Sequence, residues 1–300
     1  MKTIPILNIE QFEKDKPALN DFYTNDLKTH LIKNKNLIHK PHKHDFYLCI
    51  LFTKGTGTHE IDFNRYEVKP GCVFFLKPGQ THSWILDENS AGYIFFHTQK
   101  FYEFSFSNQL LNQFPFYDSL KNSPKLILSK SKTLEFTNKF KELNAEYYQK
   151  ENYQEFKITS LINLIYIDLS RLYIILKPKE INSSIRYIET LRLLETEIEK
   201  WYRQEKSAKF YAEKLNISAK HLNRIVKTTI NKTTTELISE RVLLEAKRLI
   251  VHSNNSLTNI AEVLGFEDYA YFSKQFKAKT KITPMSFKNK YINKKPHNKL

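Results

Sequence analysis

The chain has 300 residues, 41% of them apolar and 14% aromatic, and carries a net charge of +15. That length and apolar content exclude a disordered chain and allow two domains with packed cores. The charge is uneven: residues 206–300 hold 19 Lys and Arg against 7 Asp and Glu, whereas residues 1–205 hold 28 against 25. An excess gathered in the last third is the footprint of a polyanionic partner, although Lys is common throughout the chain. Cys49 and Cys72 are the only cysteines, so no disulfide framework exists, and both lie in apolar runs as reduced thiols do. Residues 1–16 lack the apolar stretch of a secretory leader. The most apolar run, Leu161 to Leu176, is interrupted by Asp168 and Arg171 and is shorter than a membrane span. A cytoplasmic protein without a membrane partner is expected.

In chain order, residues 1–40 are weakly patterned and read as an N-terminal arm. From Phe46 to His97 the pattern is all-β. Strands are predicted over Phe46–Phe52, Thr58–Phe63, Cys72–Leu76, Ser83–Leu86 and Gly92–His97. Turns at Lys54-Gly-Thr-Gly57, Lys69-Pro-Gly71 and Lys77-Pro-Gly79 separate them. Short strands punctuated by Gly and Pro specify a sandwich or small barrel. Phe114-Pro-Phe-Tyr117 reads as loop and Lys125–Leu128 as a last strand. Ser131–Lys150 has helical spacing, with Leu134, Phe140, Leu143 and Tyr147 near one face. Glu155–Leu176 is a second helix, apolar on more than one side, so it must be covered on more than one face. A helix–helix dimer interface is favoured over purely internal packing. Lys177-Pro-Lys-Glu180 is a charged, Pro-containing break. An amphipathic helix over Ser184–Gln204 follows, with Ile188, Leu191, Leu194 and Ile198 on its apolar face. The division expected is 1–128, a sensor with its arm; 129–177, a helical dimerisation segment; 178–183, a linker; and 184–300, a nucleic-acid-binding domain.

That last domain contains one unit written twice. Tyr211-Ala-Glu-Lys-Leu-Asn-Ile-Ser218 and Ala219–Lys227 form the first copy; Ile260-Ala-Glu-Val-Leu-Gly-Phe-Glu267 and Asp268–Lys277 form the second. With one residue inserted in the second copy, Leu222 matches Phe272, Arg224 matches Lys274 and Lys227 matches Lys277. The two helix-turn-helix motifs span about residues 207–229 and 256–280. Ser207, Ser218 and Ser256 are predicted N-caps. Thr233-Thr-Thr-Glu236 is a capping box opening a helix over Thr234–Val251, and Pro284 sits at the first position of a final helix. Leu222, Ile225 and Val226 share one face, with Lys220, Asn223, Arg224 and Lys227 opposite. Arg pairs with guanine and Asn with adenine in the major groove. In the second copy Phe272 and Phe276 point inward. Lys274 and Lys277 point outward, flanked by Tyr269 and Tyr271.

Two resemblances follow from these residues. Pro41-His-Lys-His44, Gly55-x-Gly57 and Pro78-Gly-Gln-Thr-His82 resemble the motifs of a cupin barrel of the effector-sensing kind. His42, His44 and His82 match three imidazoles that hold a metal in cupin enzymes, but the fourth ligand position falls at Leu48, which cannot ligate. A lining of hydrogen-bonding histidines is therefore preferred over a metal site, and no cofactor is expected. The double motif resembles the DNA-binding domain of the AraC/XylS family of bacterial transcription regulators. Glu240-Arg-Val-Leu-Leu-Glu-Ala-Lys-Arg-Leu249 and Phe272-Ser-Lys-Gln-Phe-Lys277 are among its strongest stretches.

The resemblance implies a multidomain α and β protein: an N-terminal cupin-like barrel with following helices, then an all-α domain with two helix-turn-helix motifs. It implies a homodimeric, sequence-specific regulator of transcription that binds double-stranded DNA and a small-molecule effector. If the protein activates, RNA polymerase is a further partner. Lys220, Asn223 and Arg224, then Tyr269, Tyr271 and Lys274, fall where the family reads bases. Lys54, His82, Trp84 and Tyr93 are the effector-site candidates. Asn231 and Lys281 stand where the family has Gly after each recognition helix, so the second helix is expected to end differently. The competing reading is a metal-dependent cupin enzyme with a DNA-binding appendage. A DNA-repair methyltransferase is disfavoured because neither cysteine has an activating environment. No enzymatic activity is expected.

Overall fold

The computed structural model describes residues 4–12, 19, 21–106, 111–117, 122–149, 151–175 and 185–292. Two compact units emerge, one over residues 5–179 and the other beginning at residue 180. The proposed linker, 178–183, lies outside the described residues.

The first unit is a β-sandwich backed by helices. Its strands are β1 (Ile6–Leu7), β2 (Phe22–Asp26), β3 (Lys43–His44), β4 (Tyr47–Lys54), β5 (Gly57–Ile61), β6 (Asn64–Val68), β7 (Cys72–Leu76), β8 (His82–Leu86), β9 (Ala91–His97) and β10 (Lys125–Ile127). Helices α1 (Leu27–Lys33), α2 (Lys35–Ile38), α3 (Gln99–Ser105), α4 (Lys130–Tyr148) and α5 (Gln154–Ile175) complete it. One sheet has the order β10-β7-β4-β9-β2, a second the order β6-β5-β8, and β1 pairs in parallel with β3.

The five-stranded sheet is buried on both faces, which explains its unbroken apolar runs. Leu48, Ile50, Phe52, Phe74, Leu76, Ile94 and Phe96 face the sandwich interior. Their neighbours Cys49, Leu51, Val73, Phe75 and Phe95 face α4 and α5, meeting Phe136, Phe140, Ile162, Tyr166 and Leu169. Strict alternation of faces thus gives each strand two apolar sets rather than one. The helices expected as a separate segment at 129–177 therefore belong to the sensor's own core.

Several expectations need correction. The N-terminal arm contains β2, which pairs with β9 at the sheet edge from Phe22↔His97 to Asp26↔Tyr93. Its sequence, FYTND, has no alternation because four of its five residues are buried. Strand β6 follows β5 through Asp62 and Phe63, both at positive φ, 47° and 70°. Hairpin turns of that kind are normally announced by Asn-Gly or Asp-Gly; Asp-Phe gives no such signal. On α4, Leu134 is 66% exposed while Phe136 takes the buried place. The Phe114–Tyr117 loop contains a 3-10 turn, Pro115–Tyr117, preceded by another at Leu111–Gln113, and it buries Phe114, Phe116 and Tyr117. Helix α5 is long and apolar enough by composition to cross a membrane, yet it seats Ile158, Ile162, Ile165, Tyr166, Leu169 and Tyr173 in the sensor core.

The second unit is all helix: α6 (Ile185–Trp201), α7 (Ala208–Lys214), α8 (Ala219–Ile230), α9 (Thr234–His252), α10 (Leu257–Val263), α11 (Tyr269–Thr280) and α12 (Pro284–Ile292). Helix α9 is the central strut. The Thr233/Glu236 capping box opens it, with both reciprocal hydrogen bonds present. Arg241 clamps Glu199 of α6 through two hydrogen bonds of 2.6 and 2.7 Å and stacks on Tyr202, 3.9 Å from its ring centroid. The buried Glu245 carboxylate lies 3.3 Å from Arg241 and Arg248 and 3.7 Å from Arg203. A buried carboxylate is tolerable only with such partners; here it ties the connection after α6 to the strut.

Candidate nucleic-acid interface and sensor site

The two helix-turn-helix copies are close backbone replicas. Helices α7 and α10 each have 7 residues, capped by Ser207 and Ser256. Helices α8 and α11 each have 12, capped by Ser218 and Asp268. At the corner, Ile217 N–H donates to Ala212 O and Phe266 N–H to Ala261 O, both at 3.0 Å. The left-handed residue of the corner is Asn216 (φ 53°) in one copy and Gly265 (φ 73°) in the other. Asn is the side chain that tolerates this conformation best. Gly265 has no alternative, since a Cβ there would lie 2.0 Å from Arg203 O. Lys206 Nζ also donates to Gly265 O at 3.1 Å, so this corner is packed against the chain that follows α6.

Both recognition helices end alike, against expectation. Asn231 (φ 54°) and Lys281 (φ 67°) are left-handed caps, and each donates its N–H to the carbonyl four residues back, Lys227 at 2.9 Å and Lys277 at 2.8 Å. The helix repeat dictates the ending; the lysine accepts a conformation that costs a non-Gly residue about 1–2 kcal/mol.

Helix α8 buries Leu222, Ile225, Val226 and Thr229. Lys220, Arg224 and Lys227 are exposed. Arg224 Nη2 donates to His221 Nδ1 at 2.8 Å, which holds the guanidinium over the helix surface. His221 carried no sequence signal beyond its spacing three residues before Arg224. Asn223 has a partner within the domain. Its Oδ1 accepts from Thr234 N–H at 3.0 Å, so its side chain joins the start of α9 to α8. Its carbonyl oxygen is thereby engaged at a helix N-terminus, while Lys220, Arg224 and Lys227 stay exposed. Helix α11 buries only Phe272 and Phe276, larger knobs that meet Phe266 and Phe287 at ring distances of 5.2 and 5.5 Å. Tyr271, Lys274 and Lys277 are exposed and Tyr269 is half-buried.

In the sensor the three motif histidines converge. His82 begins β8, His44 ends β3, and His42 forms an isolated bridge with His82. His82 Nε2 lies 2.7 Å from His44 Nε2 and 3.0 Å from His42 Nε2. His59 of β5 joins them, its Nε2 2.8 Å from His82 Nδ1. All four are buried. Burial first, then the neighbouring imidazoles, holds His44 and His82 well below the usual histidine range and His59 at about 3. Burial likewise lowers His42, offset in part by its bond to Lys40 O. His59 was missed because it belongs to no motif; its signal was a place on the inward face of β5, two residues from Ile61.

Of the effector candidates, Trp84 joins this cluster, its ring 5.1 Å from that of His82 and 5.4 Å from that of His59. Tyr93 packs instead with the helix-side core, so the structure does not bring it together with His82 and Trp84. Lys54 is exposed at the end of β4. Leu48, at the missing carboxylate position, is buried in the sandwich interior. Both cysteines are buried, and burial pushes the Cys49 thiol well above its ordinary range, which is the opposite of an activated nucleophile.

A β-sandwich with an inward polar cluster and a domain with two cationic recognition helices define a ligand-responsive, sequence-specific DNA-binding protein. Comparison with known proteins agrees. Residues 33–111 match the AraC-like ligand binding domain, and residues 211–290 match a helix-turn-helix domain. The chain belongs to the AraC/XylS family of transcriptional regulators. It is 23% identical over 251 residues to the HTH-type transcriptional activator RhaS of Escherichia coli O81, covering 81% of this chain and 85% of that one. Among solved structures, ToxT from Vibrio cholerae matches 90% of this chain and 98% of its own at 12% identity and a TM-score of 0.43. The C-terminal domain of the response regulator yesN from Fusobacterium nucleatum matches 33% and 98%, at 27% identity and a TM-score of 0.32.

Proposed function

We propose that the chain acts as a cytoplasmic homodimeric activator with no catalytic activity of its own, in which the two recognition helices of each subunit divide the work. Arg224, held by His221 and flanked by Lys220, reads bases from α8. Tyr269, Tyr271, Lys274 and Lys277 of α11 contact DNA largely through the backbone. The observation that carries the reading is the pair of replica recognition helices with exposed cations on one side and buried apolar seams on the other. An activating role and contact with RNA polymerase are inferred from RhaS, an activator. Dimerisation is assigned to the outward side of α5, where Leu164, Ile174 and Ile175 are 54%, 57% and 76% exposed. Exposed apolar residues clustered along one helix mark an association surface. An effector in the barrel shifts DNA binding only to the extent that it binds the two DNA-binding arrangements unequally.

Sedimentation of the full chain with and without Leu164→Glu tests the assembly: a dimer that becomes a monomer is expected. A monomeric wild-type chain at micromolar concentration contradicts it. Electrophoretic shift with a duplex selected from random sequence tests the activity, and equal affinity for selected and scrambled duplex would sink it.

A further inference from the structure

The hold on Arg224 does not end at His221. Arg has five N–H donors and no acceptor. The 2.8 Å bond from Arg224 Nη2 therefore forms only while His221 Nδ1 carries a lone pair, and the neutral ring keeps its proton on Nε2. An imidazole free to turn would offer that lone pair in many directions. Here the ring is packed. Tyr187 of α6 lies against it, with centroids 6.1 Å apart and planes at 75°, the edge-to-face arrangement that aromatic rings favour. Tyr187 and His221 are half-buried, whereas Arg224 is exposed.

Tyr187 is placed by the helix that carries it. At helical spacing it shares a face with Leu191, Leu194 and Ile198, and those three are buried. Helix α6 packs against α8. At its far end it is fixed to the strut instead, where Glu199 accepts both hydrogen bonds from Arg241. Tyr187 thus stands in the first turn of a helix that is anchored independently of α8. The second copy is built differently. The residues matching His221 and Arg224 are Tyr271 and Lys274. Tyr271 is 53% exposed, and its ring lies 6.1 Å from Phe266 of its own corner.

We infer that Tyr187 is a positioning residue for base recognition: its ring orients the His221 imidazole so that Nδ1 meets Arg224, and the guanidinium is ordered before DNA arrives. A side chain ordered in advance loses less freedom on binding. A bidentate contact with guanine also requires one orientation of the guanidinium. Tyr187 makes no DNA contact in this scheme and acts through His221. The sequence preference of the first head therefore depends on α6, the first helix of the second unit. This inference rests on the reading of Arg224 as the base-contacting residue.

The full chain and its variants are titrated onto the selected duplex and onto a scrambled duplex, by fluorescence anisotropy at one salt concentration. Tyr187→Leu should lower affinity for the selected duplex by about 2–10-fold, the usual worth of one edge-to-face pair, and leave the scrambled duplex unchanged. His221→Leu should do the same. Tyr187→Phe keeps the ring and His221→Gln keeps an acceptor, and both should match wild type. On the Arg224→Ala background Tyr187→Leu should have no further effect, because a residue acting only through Arg224 has nothing left to orient. Equal losses on both duplexes would mark Tyr187 as structural and overturn the inference. So would additive losses in the double variant, or a loss in Tyr187→Phe equal to that in Tyr187→Leu. If Arg224→Ala itself leaves the ratio of the two affinities unchanged, the base-reading assignment fails and the inference with it. If Arg224→Ala lowers that ratio and Tyr187→Leu does not, the positioning role alone fails.

Discussion

The two recognition heads share a backbone and differ in how it is held. In the first, four buried side chains of α8 and the Asn223–Thr234 hydrogen bond fix the helix. In the second, two phenylalanines do most of that work, and the corner is wedged against Arg203 and Lys206 with no room for a Cβ. The first head thus has its outward side free for a single well-held guanidinium. The second presents tyrosines and exposed lysines. One geometry, repeated, thus presents different side chains, a held arginine on the first helix and tyrosines with lysines on the second, which is what the proposed division between base reading and backbone contact rests on.

The largest effect should come from the corners. Gly265→Ala is expected to destabilise the helical unit by more than about 2 kcal/mol, since it adds left-handed strain to a clash with backbone. Asn216→Ala, at a corner that already accommodates a Cβ, should cost only about 1 kcal/mol. Urea denaturation followed by helical circular dichroism measures both, and equal losses would erase the asymmetry. Next come the reading surfaces. Arg224→Ala should lower affinity for the selected duplex by about 1–3 kcal/mol and relax base preference. Lys274→Ala should cost less and cost the same on every duplex. The smallest effect is at the helix ends: Lys281→Gly should stabilise by about 1 kcal/mol, whereas Asn231→Gly changes stability by a few tenths.

Much of this was legible in sequence, for physical reasons that also mark where legibility stopped. N-caps, the capping box and the repeat itself are local, so Ser207, Ser218, Thr233 and Ser256 appear where predicted. What depended on tertiary partners was not local. The bond between Asn223 and Thr234 was not legible because it crosses a turn. Lys281 looked unsuited to a left-handed cap because the pull of helix α11 on its own C-terminus is not written in that residue. In the sensor, β2 was hidden by burial on both faces, and β6 by a turn without glycine. His59 was invisible because it joins the motif histidines only when β5 and β8 pair, His59 opposite Trp84 and Ile61 opposite His82.

The division of labour between the heads is tested most directly by salt dependence. Affinities of the wild-type chain, Arg224→Ala, Lys274→Ala and Lys277→Ala are measured on the selected and on a scrambled duplex across a series of salt concentrations. Each lysine variant should make the slope of log K against log salt shallower by about 0.9, the loss of one phosphate contact, with the specificity ratio unchanged. Arg224→Ala should instead lower the ratio. A collapsed ratio in Lys274→Ala, with Arg224→Ala changing only the slope, would contradict the account.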